Sequence, residues 1–235
     1  MSGPLSRDLR ATPTRTLWCD DPALRLLSIP EITIGGIPIA VTDVATSARL
    51  MVDAALSGRN TARPPLVVTA ADRSVVSLCA RARAVRVAFL DADLIHAQDT
   101  SLLLASYISP VRLPERIGIL RLFHAVAQLA EARNAEFYFL GSDALAVRQA
   151  VSCALRLYPG LTISGHRNGF ASADEASKAI DEINAARPDI LWPGMGVPAD
   201  QFFAMENRRR LCGVGLICTA GALFPALARS TAVRV

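Results

Sequence analysis

A chain of 235 residues, 51% hydrophobic and 20% charged, makes one large domain or two small ones around a substantial core. Its net charge of +4 rests almost wholly on arginine, Lys178 being the only lysine, and no basic run is interleaved with aromatics, so nucleic acid is excluded as the expected partner. The five cysteines (Cys19, Cys79, Cys153, Cys212, Cys218) are scattered, with no Cys-x-x-Cys pair and no Cys/His cluster at zinc spacing, which argues for a reducing cytosol and against a structural metal.

Residues 1–28 read as a weakly ordered leader; their first 25 carry Arg and Pro but lack the apolar core of a signal peptide. Residues 31–34 and 37–41 flank Gly35-Gly36, the pattern of a small β-hairpin. Thr42 is placed to cap a helix running to about residue 56, and a polar loop fills 57–65. Alternation then begins. A strand is expected at 66–68 with a helix through about 82, a strand at 93–97 with a helix near 101–109, and a loop at 110–118. An amphipathic helix at 120–133 precedes a strand at 136–140. A helix at 143–157, ended by Pro159-Gly160, leads to a strand at 161–164 and a helix at 172–186. Strands at 190–192 and 214–218 close the series, each succeeded by a helix. Residues 211–228 carry no charge and reach the length of a membrane span, but Gly213, Gly215, Gly221 and Pro225 divide them into strand and helix. The rhythm implies right-handed βαβ units. The expected fold is therefore α/β and Rossmann-like: a mostly parallel sheet of about six strands, helices on both faces, and a small N-terminal β-hairpin, with residues 29–235 forming a single domain.

Ligands of open parallel sheets sit beyond the carboxyl ends of the strands. Just past the expected strands come, in turn, Thr69, Gln98-Asp99-Thr100, Gly141-Ser142-Asp143, Gly165-His166-Arg167-Asn168, Gly194-Met195-Gly196 and Thr219-Ala220-Gly221. Glycines, hydroxyls and an acidic group on one edge suit a nucleotide or nucleotide sugar. The stretch 187–201 is the clearest unit, reading as strand, glycine loop and a helix opened by Pro198. Backbone N–H groups at such a start favour an anion.

Each candidate has a plainer reading beside the functional one. Asp99 suits a general base, but Asp is also a favoured helix N-cap, and spacing alone favours the cap. Arg116, in Leu-Pro-Glu-Arg, could neutralise a diphosphate or pair with Glu115. Gly194-x-Gly196-x-x-Ala199 formally matches the dinucleotide fingerprint, yet it falls in a late unit with no acidic residue ready for a ribose. A nicotinamide-dependent oxidoreductase has only that support, and no cofactor is expected. His124 reads as packing or surface, and His166 as a loop hydrogen-bonder. With no Gly-x-Ser-x-Gly elbow and no P-loop, hydrolase and kinase readings lack support.

The ordered motifs resemble the WecG/TagA/CpsF family of bacterial glycosyltransferases from about Ile32 to Arg229. The resemblance rests on Val-Val-Thr (67–69), Ala-Asp-Leu-Ile-His-Ala-Gln-Asp (92–99), Leu-Pro-Glu-Arg (113–116), Phe-Tyr-Phe-Leu-Gly (137–141) and Tyr-Pro-Gly-Leu (158–161). Gly-His-Arg-Asn-Gly-Phe (165–170), Ile-Asn-Ala-Ala-Arg-Pro-Asp-Ile-Leu (183–191) and Gly-Met-Gly-Val-Pro (194–198) complete it. It implies metal-independent, inverting transfer from a UDP-sugar to a polyprenyl-diphosphate-linked acceptor in surface polysaccharide assembly. The chain would be cytoplasmic and peripheral at the inner face of the cytoplasmic membrane. Asp99 falls at the family's proposed catalytic Asp; Thr69 and Arg116 match residues near the sugar and diphosphate. Thr100, Gly141, Ser142, His166, Gly194, Gly196, Asp200 and Gln201 complete the expected substrate-binding set. Several motifs depart from the family pattern. Its Pro-Asp-Gly is Gln98-Asp99-Thr100, the Asn of its Thr-x-Asn is Ala71, and its Gln-Glu is Asp200-Gln201. The basic C-terminal appendage is nearly absent, so dependence on the membrane surface or a membrane-protein partner is expected. A homo-oligomer is left open. The competing expectation is a catalytically impaired homologue that binds a nucleotide sugar or a partner enzyme.

Overall fold

Gly35-Gly36 turns β1 (Glu31–Ile34) back onto β2 (Ile37–Ala40) in antiparallel register, so the expected hairpin is present. The computed structural model describes residues 21–59, 61–141, 143–169 and 172–230; expectations for residues 1–20 and for Ser142 lie outside them. Ahead of the hairpin, residues 22–27 of the stretch expected as a leader form a helix. Pro22 opens α1 (Pro22–Leu27), Asp21 caps it, and Ala23 and Leu26 are buried against α2 (Val44–Ser57). Two apolar residues one helical turn apart, behind a Pro at the first position, supply the signal. The cap of α2 is also corrected, because Asp43 and not Thr42 accepts the Thr46 N–H, at 2.7 Å.

Six parallel strands form the main sheet: β3 (Leu66–Ala71), β4 (Leu94–Ala97), β5 (Glu136–Gly141), β6 (Thr162–Arg167), β7 (Ile190–Gly194) and β8 (Leu216–Cys218). Their spatial order is β4-β3-β8-β7-β5-β6. The last two strands in sequence thus fill the centre, as near-continuous apolar runs should. Side chains alternate between two cores. Val68, Phe137, Phe139, Ile190, Trp192, Leu216 and Cys218 point to one face, covered by α1, α2, α6 (Ile119–Arg133), α7 (Ala144–Leu157) and α10 (Leu223–Arg229). Val67, Tyr138, Leu140, Leu191 and Ile217 point to the other, under α8 (Ala173–Ala186) and α9 (Ala199–Asn207). Beside β3 and β4 that second face is finished by the hairpin, α3 (Arg73–Arg81), α4 (Arg83–Leu90) and α5 (Thr100–Ala105). Helix α4 has no counterpart in the expected elements. Extended Ala82 separates it from α3, and Val85, Ala88 and Phe89 recur at the spacing of a buried helix face.

Several strands run past their expected ends. β3 continues to Ala71, and β7 to Gly194. β6 carries on through Gly165, His166 and Arg167, so those residues pair along β5 instead of forming a loop. Residues 211–228 resolve into β8 and α10, as their glycines and Pro225 imply. Among the described residues no helix is long and apolar enough to cross a membrane. At the amino end of the sheet, buried Asp189 holds the starts of β5 and β7 together. Its carboxylate accepts the Glu136 N–H at 2.7 Å and both Nε and Nη2 of Arg59.

Candidate functional site

The carboxyl ends of β3, β8 and β7 lie side by side at the middle of the sheet, and a cleft of about 600 Å³ opens there. Its walls are the ends of three units. Ala70, Asp72, Ser74, Leu78 and Arg81 come from β3 and α3. The stretch Gly194 to Val197 and Gln201 come from β7 and α9, while Thr219 to Ala222 and Pro225 come from β8 and α10. Gln98 lines the remaining side.

Beneath the cleft is a small polar cluster. Gln201 Nε2 donates to Thr69 Oγ1 at 2.9 Å and to Thr219 Oγ1 at 3.2 Å, and the Thr219 hydroxyl donates to Thr69 Oγ1 at 2.7 Å. All three side chains are buried. Gln201 Oε1 is buried as well and has no hydrogen-bond partner. A buried acceptor left unmade costs about 1–3 kcal/mol, and this one belongs to a residue of the cleft wall.

Asp200 faces away from that opening. Fully buried, it accepts the Met195 N–H at 2.7 Å on Oδ1 and the Gly221 N–H at 2.8 Å on Oδ2. One carboxyl thereby ties the β7–α9 loop to the β8–α10 loop, which together make half of the cleft. Burial pushes its pKa up to about 7, opposed by the backbone N–H groups of Gly221, Met195 and Gly196. Asp200, one of the expected substrate-binding residues, holds the two loops that line the cleft.

Two glycines of the expected cradle differ in what they do. A Cβ on Gly194 would stand 2.6 Å from the Phe224 ring, so its smallness lets that aromatic pack beneath the cleft. Gly196 has φ +98° with nothing within 4 Å of an added Cβ; there the turn itself needs glycine. Gly141 ends β5 buried against Val147 and Phe224 and does not line the cleft.

Asp99 caps α5. Its Oδ1 accepts the Leu102 N–H at 3.0 Å, and its Oδ2 the Arg73 N–H at 3.3 Å. The half-buried side chain bridges the starts of α5 and α3 just outside the residues that line the cleft. Thr100 is exposed at the first position of α5. Arg116 is exposed in the loop before α6 and is likewise absent from the lining. His166 is exposed on β6, two strands from the cleft. The structure therefore gathers Thr69, Gly194, Gly196 and Gln201 at one place, with Asp200 holding the adjoining loops and Gly141 paired to Gly194 beneath, while Asp99, Thr100, Arg116 and His166 fall outside the lining.

Asp72 and Arg81 enter the lining without having been singled out. Asp72 Oδ1 caps α3 by accepting from Val75 N at 2.9 Å and Ser74 Oγ at 2.6 Å. The sequence held a signal for it: Leu66 to Ala71 is a charge-free run of small and apolar residues, broken only by the hydroxyl of Thr69 and closed by Asp72, so the strand reaches residue 71 and does not stop after Val68. Arg81 folds back on Ser77, bonding its carbonyl and hydroxyl. Among the described residues no group of three or more His, Cys, Asp or Glu is placed to hold a metal ion.

Comparison with known proteins gives one family match and two partial relatives. Residues 32–232 match the model of the glycosyl transferase WecG/TagA/CpsF family. An N-acetylglucosaminyldiphosphoundecaprenol N-acetyl-beta-D-mannosaminyltransferase of Bacillus spizizenii is 24% identical over 117 residues, 50% of this chain and 45% of that protein. A UDP-Gal:alpha-D-GlcNAc-diphosphoundecaprenol beta-1,4-galactosyltransferase of Shigella boydii is 33% identical over 86 residues, 36% of this chain and 35% of that protein. The similar stretch thus spans less than half the length of either relative.

Proposed function

The chain belongs to the WecG/TagA/CpsF family of glycosyl transferases, and from that premise we propose that it moves a sugar from a UDP-sugar to a polyprenyl-diphosphate-linked acceptor, with inversion and without a metal. The observation that carries the reading is the cleft at the central strand ends, walled by two glycine loops over the Thr69–Gln201–Thr219 cluster. Nucleotides bind at this position in open parallel sheets. The orphaned Gln201 Oε1 awaits a donor, and a sugar hydroxyl is one. The names of both relatives specify acceptors built on diphosphoundecaprenol and β-linked products, and one specifies a UDP donor.

In the proposed step a carboxylate removes the proton of the acceptor hydroxyl. The freed oxygen forms a bond to the anomeric carbon as the bond from that carbon to the diphosphate oxygen breaks, and UDP leaves with the electron pair. We assign the base to Asp99. Its two N–H contacts occupy two of about four lone-pair positions, which leaves acceptor capacity for a substrate hydroxyl. Positive charge for the departing diphosphate would come from arginine, with Arg81 at the cleft and Arg116 on the loop beyond it. Acceptors of this kind are membrane lipids, so the chain would work as a peripheral protein at the inner membrane face.

One observation favours a second reading. Both Asp99 oxygens are engaged in helix capping and the residue stands outside the cleft lining, as in a homologue that binds a nucleotide sugar without turning it over. Asp99→Asn separates the two. The amide keeps the size of the side chain but cannot take a proton, so transfer falls about 100- to 10,000-fold while calorimetric UDP affinity holds. UDP binding by a wild-type chain that transfers to no polyprenyl-diphosphate acceptor would favour the second reading.

A further inference from the structure

Helix α5 and the turn after it bury one side and present another. Leu102 and Ser106 point inward, and the Ser106 hydroxyl fixes the segment, donating to Leu103 O at 2.7 Å and accepting the Leu113 N–H at 3.1 Å. Farther on, the Ile117 N–H returns the chain to Ala97 O at the end of β4. The opposite side carries Leu104, Tyr107 and Ile108, about one helical turn apart across α5 and the 3-10 turn at 106–108, and Val111 follows beyond extended Ser109. All four are exposed, Ile108 at 95%. An apolar ridge anchored by the Ser106 hydroxyl thus stands in solvent, and it springs from Asp99 at the carboxyl edge of the sheet, where the cleft also opens.

Charge identifies what would cover it. Residues 100–114 contain no acidic side chain, and Arg112 lies within them, its guanidinium 4.8 Å from the centre of the Tyr107 ring. Exposed Arg116 comes next, while its neighbour Glu115 is engaged by Arg121 and by the Val44 N–H. An apolar stripe edged by arginine and an amphipathic tyrosine matches the boundary between lipid headgroups and acyl chains. Four side chains also fall well short of the roughly 800 Å² that each partner of a stable protein interface commits.

We propose that the ridge 104–111 is the surface through which this chain docks on an anionic phospholipid bilayer. Leu104, Ile108 and Val111 enter the upper acyl region; Tyr107, Arg112 and Arg116 sit among the phosphates. Docking there holds the cleft at the height of a diphosphate emerging from the membrane, so the inference rests on the lipid-linked acceptor proposed above and names the surface that reaches it.

Cosedimentation of the full chain with vesicles tests the idea without any sugar nucleotide. Wild type should partition onto phosphatidylglycerol/phosphatidylethanolamine vesicles, less onto pure phosphatidylcholine, and less again in high salt. Ile108→Asp and Leu104→Asp should each lower partition by about tenfold or more, Arg112→Gln by a few-fold, and Ile108→Leu should restore it. The replaced side chains are exposed, so thermal midpoints should stay put and loss of fold is separable from loss of docking. Equal partition of wild type and Ile108→Asp would overturn the proposal. So would a wild-type oligomer that ignores vesicles and is dissociated by Ile108→Asp, since the ridge would then be an interface between copies. Vesicle binding that depends on Ile108 in a chain that transfers no sugar would uphold docking while removing the transferase reading.

Discussion

Replacing Asp200 by Asn sets two effects against each other, and pH decides between them. An amide can accept one of the N–H groups of Met195 and Gly221, now bound at 2.7 and 2.8 Å, but turns its own NH₂ toward the other. That mismatch costs about 2–3 kcal/mol and does not titrate. The second effect is charge. Burial raises the Asp200 carboxyl from its ordinary 3.8 to about 7, so between those values the folded protein holds a proton that the unfolded chain has released. Stability is then greatest at low pH and falls as pH rises through this window, by about 4 kcal/mol in all at about 1.4 kcal/mol per pH unit. The amide of the Asp200→Asn variant carries no such dependence. Urea unfolding of both proteins at pH 5 and pH 8, taken as a difference, cancels every other titrating group. The cost of Asp200→Asn should be about 3 kcal/mol larger at pH 5, where wild type is protonated in the fold, and near zero or reversed at pH 8. The same cost at both values, or a larger one at pH 8, would mean that the two N–H groups outweigh burial and keep the carboxylate ionised.

His96 should act in the opposite sense: fully buried against Ser47 Oγ at 2.7 Å, it has its pKa lowered by burial to about 4. Stability from this group is present above about 6.5 and is lost as pH falls toward 4, by about 3 kcal/mol; His96→Gln should flatten that acid limb in urea midpoints. Asp189→Ala strips partners from Arg59 and the Glu136 N–H and should cost about 2–4 kcal/mol, moderated because Arg59 is half exposed; a thermal midpoint within a degree of wild type would contradict it.

Periodicity read well wherever one face of an element is buried and the other is not. The hairpin, α6 with Leu122, Phe123 and Val126 inward, and the division of residues 211–228 all follow from local pattern. What escaped has a physical reason in each case. Strand ends expected at Val68, Ser164 and Trp192 fall short because the threonine, glycine and Pro-Gly that follow them read as punctuation. Thr69 is a buried strand residue bonded to two neighbours, and Gly194 is a packing glycine under Phe224. Carrying the strands two or three residues further moves His166 into the sheet and Asp72 to its edge. The spatial order was not legible at all, since β7 and β8 enter the centre through contacts far apart in sequence. Gln201 and Asp200 are adjacent, yet one lines the cleft and the other clasps its walls; helical rotation from one residue to the next separates those duties.

Purified chain, EDTA, a panel of UDP-α-sugars and a short-chain polyprenyl-diphosphate N-acetylglucosamine test transfer at the cleft in one reaction, with the product's anomeric configuration read by NMR. A β-linked disaccharide is expected, formed in EDTA at an undiminished rate and reduced at least about 100-fold by Asp99→Asn. An α-linked product, a requirement for divalent metal, or unchanged turnover by Asp99→Asn would contradict the proposed step.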